Sequence, residues 1–324
     1  MLSFEDRVAV VTGAGGGIGR AHATALASRG ARVVVNDRGA TLDGEALPSS
    51  PAQAVVDEIE AAGGSAVLST DSVSDPAGVD RIVQLALDTW GRIDILINNA
   101  GIFHYAGVEG VSLERFQAML DVHLLGPFLL TQKAWPHFVS QGYGRVVNTC
   151  SSAALFGLPQ GAHYSAAKAA IIGLTRSLAG EGEPHGIHVN AIAPGASTRS
   201  SQDALDGPFL DWFSTYFTPE AVAAVATWLA HSDCPDNGQI YAAQGGRVAR
   251  VVMSEGPGYF SRALSPEALS DHRDRMSADE GGQVIWTMEE ELAVTIGLLS
   301  ESGAPEPPPM GDFQLTQDPA ATGS

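Results

Sequence analysis

Positive charge is scarce in this sequence. Its 324 residues include two lysines, and with arginine the cations reach 18 against 37 acidic residues, a net charge of -19. Nucleic acid and anionic lipid both demand clustered cations, so neither is an expected partner. Cysteine is as rare: Cys150 and Cys234 cannot build a disulfide framework. The N-terminus, "MLSFEDRVAVV", lacks a basic segment followed by a long apolar run, so a cytoplasmic protein is expected. No stretch reaches the roughly 20 apolar residues of a membrane span, because Gly, Asn, Asp or Arg interrupts every candidate. The nine histidines fall into no ligand spacing with Cys, Asp or Glu, and no metal is expected.

What the chain does have is a hydrophobic content of 44%, enough for a sizeable core. Seven short apolar runs, "RVAVVTG", "ARVVVND", "AVLSTD", "RIDILINNAG", "GRVVNTCSS", "IHVNAIAPG" and "GQIYAAQGG", read as strands. Helical periodicity fills the intervals, over Arg20–Arg29, Ala52–Ala62, Ala77–Trp90, Leu113–Leu120 continuing toward Val139, Tyr164–Gly180 and Pro219–His231. Strands apolar throughout, each followed by a helix, predict an α/β fold, a doubly wound parallel seven-stranded sheet with helices on both faces. One domain is expected over residues 1–246. An arginine-bearing extension over 247–300 is expected to pack on it, followed by a tail over 301–324 too rich in Pro, Gly and acids to fold.

The first strand runs into "TGAGGGIGR", placing Gly13, Gly17, Ile18 and Gly19 at a strand-to-helix turn. Glycine serves there because the turn uses positive φ and a pyrophosphate must approach the backbone closely, while the helix start offers free N–H groups. A purely structural turn would also explain the glycines. Asp37 ends the second strand 18 residues beyond Gly19, where a carboxylate binds adenosine ribose hydroxyls and repels a 2'-phosphate. That predicts NAD as cofactor rather than NADP, with Arg38 the one residue arguing the other way. Asp71 and Ser72 after the third strand, and Asn98, Ala100 and Gly101 in "NNAG" after the fourth, lie at strand carboxyl ends where such sheets bind ligands.

In "HYSAAKAA" the spacing of Tyr164 and Lys168 sets both side chains on one helix face. A free phenol with a pKa of about 10 is a poor base at neutral pH; beside a fixed ammonium and an oxidised nicotinamide its phenolate is stabilised. Ser151, 13 residues upstream at the end of "GRVVNTCSS", can hold a substrate oxygen next to Tyr164.

Together "TGAGGGIG", "NNAG", Ser151, "YSAAK" and "APG", with Pro194 and Gly195, resemble the short-chain dehydrogenase/reductase family over about residues 5 to 246. The resemblance implies a Rossmann fold, with a serine that polarises the substrate oxygen, a tyrosine acid or base, and a lysine that binds nicotinamide ribose and lowers the tyrosine pKa; Ser151, Tyr164 and Lys168 match those positions. It also implies a homodimer or homotetramer packed through the helices around "DVHLLG" and "YSAAK". The family commonly has a proton-relay asparagine where this chain has His123, so His123 is either a relay member or a plain helix histidine. The long insertion in "VVVNDRGATLDGEALPSSPAQAVVDEIEAAGG", "YGRVVNTCSS" and the segment after Gly246 resemble the (3R)-hydroxyacyl-CoA dehydrogenase branch found in peroxisomal multifunctional enzymes of type 2, a group that also oxidises 17β-hydroxysteroids. The implied substrate is an acyl-CoA or a steroid-like alcohol, and the chain is expected to be a stand-alone dehydrogenase.

Past Gly195 the sequence is dense in aromatics, Phe209, Trp212, Phe213, Tyr216 and Phe217, which read either as an apolar lid or as packing against the domain or a second subunit. Arg247, Arg250, Arg262, Arg273 and Arg275 suit the phosphates of coenzyme A, or equally a solvated face balanced by nearby acids. From another functional class stands a non-catalytic dinucleotide-binding regulator or scaffold, against which the intact Ser151, Tyr164 and Lys168 argue.

Overall fold

A computed structural model describes residues 2–41, 43–45, 50–199, 201, 205–305 and 307. The chain divides into two compact units, Met1–Val251 and Val252–Ser324.

All seven expected strands form: β1 (Val8–Thr12), β2 (Arg32–Asn36), β3 (Ser65–Ser69), β4 (Ile95–Asn98), β5 (Gly144–Thr149), β6 (Ile187–Gly195) and β7 (Ile240–Gln244). They pair in parallel in the order β3-β2-β1-β4-β5-β6-β7. Alternate residues of each strand feed the two faces, as the two-residue period requires. Ala9, Val11, Val33 and Val35 pack beneath α1 (Gly17–Ala27), α2 (Ala52–Ala61) and a helix over Pro219–Leu229. Val8, Val10, Val34 and Leu96 pack beneath α3 (Pro76–Trp90), α5 (Gly126–Gln141) and α7 (Ala162–Gly182). Both strand faces are therefore dry, which is why the strands read as unbroken apolar runs.

Among the described residues the sheet has eight strands, one more than expected. β8 (Arg247–Val251) turns back through Gly245 and Gly246 and pairs antiparallel with β7, so the first unit ends at Val251 rather than Gly246. Arg247 and Arg250 thus lie on an edge strand of the first unit. The helix expected from Leu113 toward Val139 is interrupted: α4 (Leu113–Leu120) passes through a π turn over Asp121–Leu125 before α5 begins. Pro127 has no N–H to return to the His123 carbonyl four residues back, so the wider turn forms at that point.

The helices α6 (Ser152–Phe156) and α8 (Gly207–Tyr216) of the first unit were also unforeseen; the helix over Pro219–Leu229 is α9. In the second unit β9 (Ser254–Glu255) and β10 (Gln283–Val284) form an antiparallel ribbon, and α12 (Met288–Glu301) starts at a capping box of Thr287 and Glu290. Between them lie α10 (Pro266–Asp271) and α11 (Arg273–Met276). Glu301 closes α12, and most of the tail expected to be unstructured lies outside the described residues. No described helix is long and apolar enough to cross a membrane.

Candidate active site

The strand order reverses between β1 and β4, and a cleft of about 850 Å³ opens there, outside the carboxyl ends of the strands. The Thr12 hydroxyl, at the end of β1, donates to the Ile97 carbonyl at 3.3 Å and accepts from the Asn99 and Ala100 N–H groups at 3.0 and 3.1 Å. The Asn99 amide donates in return to the Thr12 and Gly13 carbonyls at 2.9 and 3.1 Å. This lacing fixes the glycine turn against β4. Gly19 lies so close that a Cβ on it would stand 2.1 Å from the Gly13 carbonyl oxygen, so no other residue fits. Gly16, by contrast, faces open space above the turn, which leaves the start of α1 approachable by a phosphate. The turn and the carboxylate beside it therefore fit a dinucleotide.

Asp37 is half-buried in the cleft wall, accepting from the Gly15 N–H at 3.0 Å through one oxygen and from the Gly39 N–H at 2.8 Å through the other. Arg38 is exposed, and its guanidinium donates to the Gly44 carbonyl. Asp71 pairs with Arg81 at 2.6 Å and Ser72 bonds Ser74 at 2.9 Å; both line the cleft, as do Gly13, Gly17, Ile18, Gly19, Ala100, Gly101, Pro194 and Gly195. Asn98 is the exception among the predicted residues. It is buried and absent from the cleft wall, its amide donating to the Asn148 side chain at 2.9 Å, whose own amide donates to the Thr175 hydroxyl at 3.0 Å. Strand alternation turns Asn98 inward to cross-link β4, β5 and α7, and leaves Asn99 to reach the cleft.

At the other end of the cleft the fold brings Ser151, Tyr164 and Lys168 together. Ser151 ends the β5 run, caps α6 by accepting from the Ala153 N–H at 3.1 Å, and lines the cleft together with Tyr164. Lys168 sits one helical turn after Tyr164 in α7, with its Nζ 5.9 Å from the phenol ring centre and donating to the Thr149 carbonyl at 2.6 Å. Only 3% of Lys168 is exposed, and burial lowers its pKa to about 8. Burial pushes the Tyr164 phenol above the ordinary value, and the nearby Ser151 side chain opposes this without reversing it.

His123, carried by the π turn, is buried with its ring edge-on to Tyr164 at 5.4 Å. Its Nε2 faces the backbone of Ile102, 2.7 Å from the carbonyl oxygen and 3.3 Å from the nitrogen, while its Nδ1 is buried with no protein partner. Burial first, then the Lys168 charge, holds its pKa well below the usual imidazole value, so the ring is neutral at physiological pH. Gly101 makes room for it, since a Cβ there would lie 2.7 Å from His123 Cε1.

Three aromatic residues of the cleft wall escaped the sequence reading. Phe103 stands edge-on to Tyr164 at 4.9 Å and to Tyr105 at 4.7 Å, and Phe156 at the end of α6 lines the same wall. The signal for the first two was "GIFHYAG", an aromatic pair directly after the asparagine turn. Of the aromatics on α8, Phe213 reaches the cleft, whereas Phe209, Trp212 and Tyr216 stay 55%, 50% and 58% exposed. Neither Arg247 nor Arg250 lines it.

The family model described as short chain dehydrogenase matches residues 7–205. The peroxisomal multifunctional enzyme type 2 of Mus musculus is 38% identical over 92% of this chain, which spans 40% of that enzyme's length. A 3-oxoacyl-[acyl-carrier-protein] reductase of Synechocystis is 39% identical over 76% of this chain and 99% of its own. Among solved structures, a short chain dehydrogenase from Mycobacterium avium superposes with a TM-score of 0.73 at 38% identity, covering 85% of this chain and 97% of that one.

Proposed function

From the premise that the chain belongs to the short-chain dehydrogenase family and is an oxidoreductase of that family, we propose that it oxidises the secondary alcohol of a 3-hydroxyacyl thioester, taken as the coenzyme A ester, with NAD as acceptor. The observation that carries the reading is that one cleft is lined by Ser151, Tyr164 and, one helical turn on from the phenol, the buried Lys168. The acyl class draws support from the 3-oxoacyl reductase among its relatives. The preference for NAD rests on Asp37 in the cleft wall and on Arg38 being turned to the Gly44 carbonyl.

The glycine turn and the start of α1 would hold the pyrophosphate, Asp37 the adenosine ribose, and Lys168 the nicotinamide ribose. When bound, the nicotinamide supplies the hydride acceptor. Ser151 donates a hydrogen bond to the substrate oxygen and fixes the alcohol beside Tyr164. Tyr164 takes the hydroxyl proton at its phenol oxygen during oxidation and returns it in the reverse direction. Its phenol is held up by burial, so ionisation depends on positive charge nearby, and Lys168 supplies one such charge below about pH 8. His123, neutral and with Nδ1 free of protein partners, is placed to accept a bond from water and pass a proton outward. Phe103, Tyr105 and Phe156 give the acyl chain an apolar wall.

The test is nicotinamide absorbance across 3-hydroxyacyl-CoA esters and 17β-hydroxysteroids, each with NAD and with NADP. The expected outcome is the highest kcat/KM for an acyl-CoA with NAD. Faster turnover of the steroids would overturn the substrate, and equal use of both nucleotides would overturn the cofactor choice.

A further inference from the structure

We propose that Arg199 is a phosphate clamp of the nucleotide half, holding the pyrophosphate of the bound dinucleotide against the glycine turn. The inference rests on the nucleotide reading above and adds to it a residue that no sequence motif marked. Arg199 lines the same cleft as the turn. Thr198, its neighbour, packs over that turn, its methyl group 3.3 Å from where a Cβ on Gly17 would stand. The Thr198 backbone is fixed in turn, its N–H donating to the Ser201 hydroxyl at 2.8 Å. From this position the guanidinium crosses to the opposite wall, where Nη1 donates to the Ala40 carbonyl at 3.4 Å. Ala40 is three residues past Asp37, so Arg199 bridges the segment after β6 and the segment after β2 across the cleft that the glycine turn also lines.

Charge gives the bridge a purpose. A pyrophosphate brings two negative charges to a wall that already carries Asp37, Asp43, Asp71 and Asp121. Among the described lining residues the cations are Arg38, Lys168 and Arg199. Arg38 is bonded to Gly44, and Lys168 lies at the far end on the Thr149 carbonyl. Arg20, the first cation after the glycine turn, is paired with Glu58 at 2.8 Å. Arg199 is thus the cation placed where the phosphates would lie. Its long bond to Ala40 uses one of five N–H donors, and the remaining fork matches the spacing of phosphate oxygens.

The test measures binding of NADH, ADP-ribose and adenosine to the full chain, with Arg199→Gln and Arg199→Lys as variants. NADH is followed by its fluorescence, and the other two by its displacement. Arg199→Gln should weaken NADH and ADP-ribose by about tenfold, the loss of a charge-assisted bond to phosphate, and should flatten the salt dependence of both. Adenosine, which carries no phosphate, should bind within about twofold of wild type. Arg199→Lys should recover part of the loss, because it keeps the charge without the fork. NADH affinity unchanged in Arg199→Gln would overturn the clamp. So would an equal loss for adenosine and ADP-ribose, which would mean that Arg199 only braces the wall through Ala40. A wild-type chain that binds neither NADH nor ADP-ribose would overturn the nucleotide reading and the clamp with it.

Discussion

The half of the cleft at the glycine turn is assembled from backbone groups and carboxylates, whereas the half at Tyr164 is assembled from aromatic rings, a buried histidine and one buried ammonium. At the glycine turn, Thr12 and Asn99 satisfy main-chain atoms, and Asp37 accepts from two N–H groups. At the other end Tyr164, Lys168 and His123 are all shifted, each with burial as the largest cause. One half is held by satisfied backbone groups; the other is held against the solvation of its own ionisable groups. The difference has consequences of opposite sign for stability and for activity, and these can be measured.

The largest effect is expected at Tyr164. Tyr164→Phe removes the proton carrier and leaves the packing against Phe103 and His123 in place, so turnover should fall by at least about a thousandfold. NADH affinity should stay within about twofold, since the phenol lies in the half away from the glycine turn. Near-normal turnover would show that the acid-base group lies elsewhere and would remove the distinction between the halves.

Lys168→Met sharpens the contrast through stability. The lysine is held at about 8 against an ordinary 10.5. Between those values the unfolded chain keeps a proton that the folded chain has released, so stability rises with pH through that window. Below pH 8 the full cost of burying the ammonium is present, on the order of 3 kcal/mol at about 1.4 kcal/mol per unit. Part of that returns as a loss in the variant, because the Thr149 carbonyl gives up its donor. Lys168→Met should therefore unfold about 2 kcal/mol later than wild type at pH 7 in urea, with the gain shrinking toward pH 10, while its oxidation rate collapses. A destabilised variant would mean that Lys168 is structural.

Asp37→Ser tests the half at the glycine turn and should go the other way. It loses two acceptors of backbone N–H groups, so stability should fall by about 1 kcal/mol. The preference for NAD over NADP, expected to be about tenfold or more in wild type, should narrow as the repulsion of a 2'-phosphate is relieved. An unchanged ratio of kcat/KM for the two nucleotides would assign the choice to another residue, with Arg38 first in line.

What could be read in the sequence follows the same division. Gly13, Gly17, Gly19 and Asp37 are demanded by backbone geometry, which has few solutions and so leaves a pattern in one dimension. Tyr164 and Lys168 are legible because a helix fixes their spacing, and Ser151 because a strand ends there. The direction of the Tyr164 shift was not legible, since it depends on what surrounds the phenol in three dimensions, and neither was the π turn that brings His123 to the ring. Asn98 and Asn99 could be told apart only once the register of β4 was known. β8 was hidden because its residues are mostly exposed and its sequence, "RVARV", offers no alternation toward a core.

The smallest effect, and the finest test of the contrast, concerns a pair of rings beside Tyr164. His104, next to Phe103, and His163, next to Tyr164, pack with ring centres 4.4 Å apart, so the loop after β4 and the start of α7 are joined by two aromatic contacts in register. Both ring nitrogens of His163 and the Nε2 of His104 are buried without a hydrogen-bond partner. Burial lowers both imidazoles; at His104 the His163 and Arg115 charges add to this and Asp43 opposes it, and at His163 the His104 backbone opposes it while Arg115 adds to it. The sign follows: a base whose folded pKa is depressed resists protonation, so the contact is at full strength above the ordinary value of 6.5 and weakens as the pH falls below it. KM for the hydroxyacyl substrate should therefore rise a fewfold between pH 7 and 5.5 while NADH affinity, set in the other half, does not. His163→Phe keeps a ring in the contact and removes one of the two proton sites, so it should reduce that rise. An identical pH dependence of KM in His163→Phe would mean that protonation of the pair does not loosen the loop. A parallel change in NADH affinity would mean that the two halves of the cleft respond to acid as one.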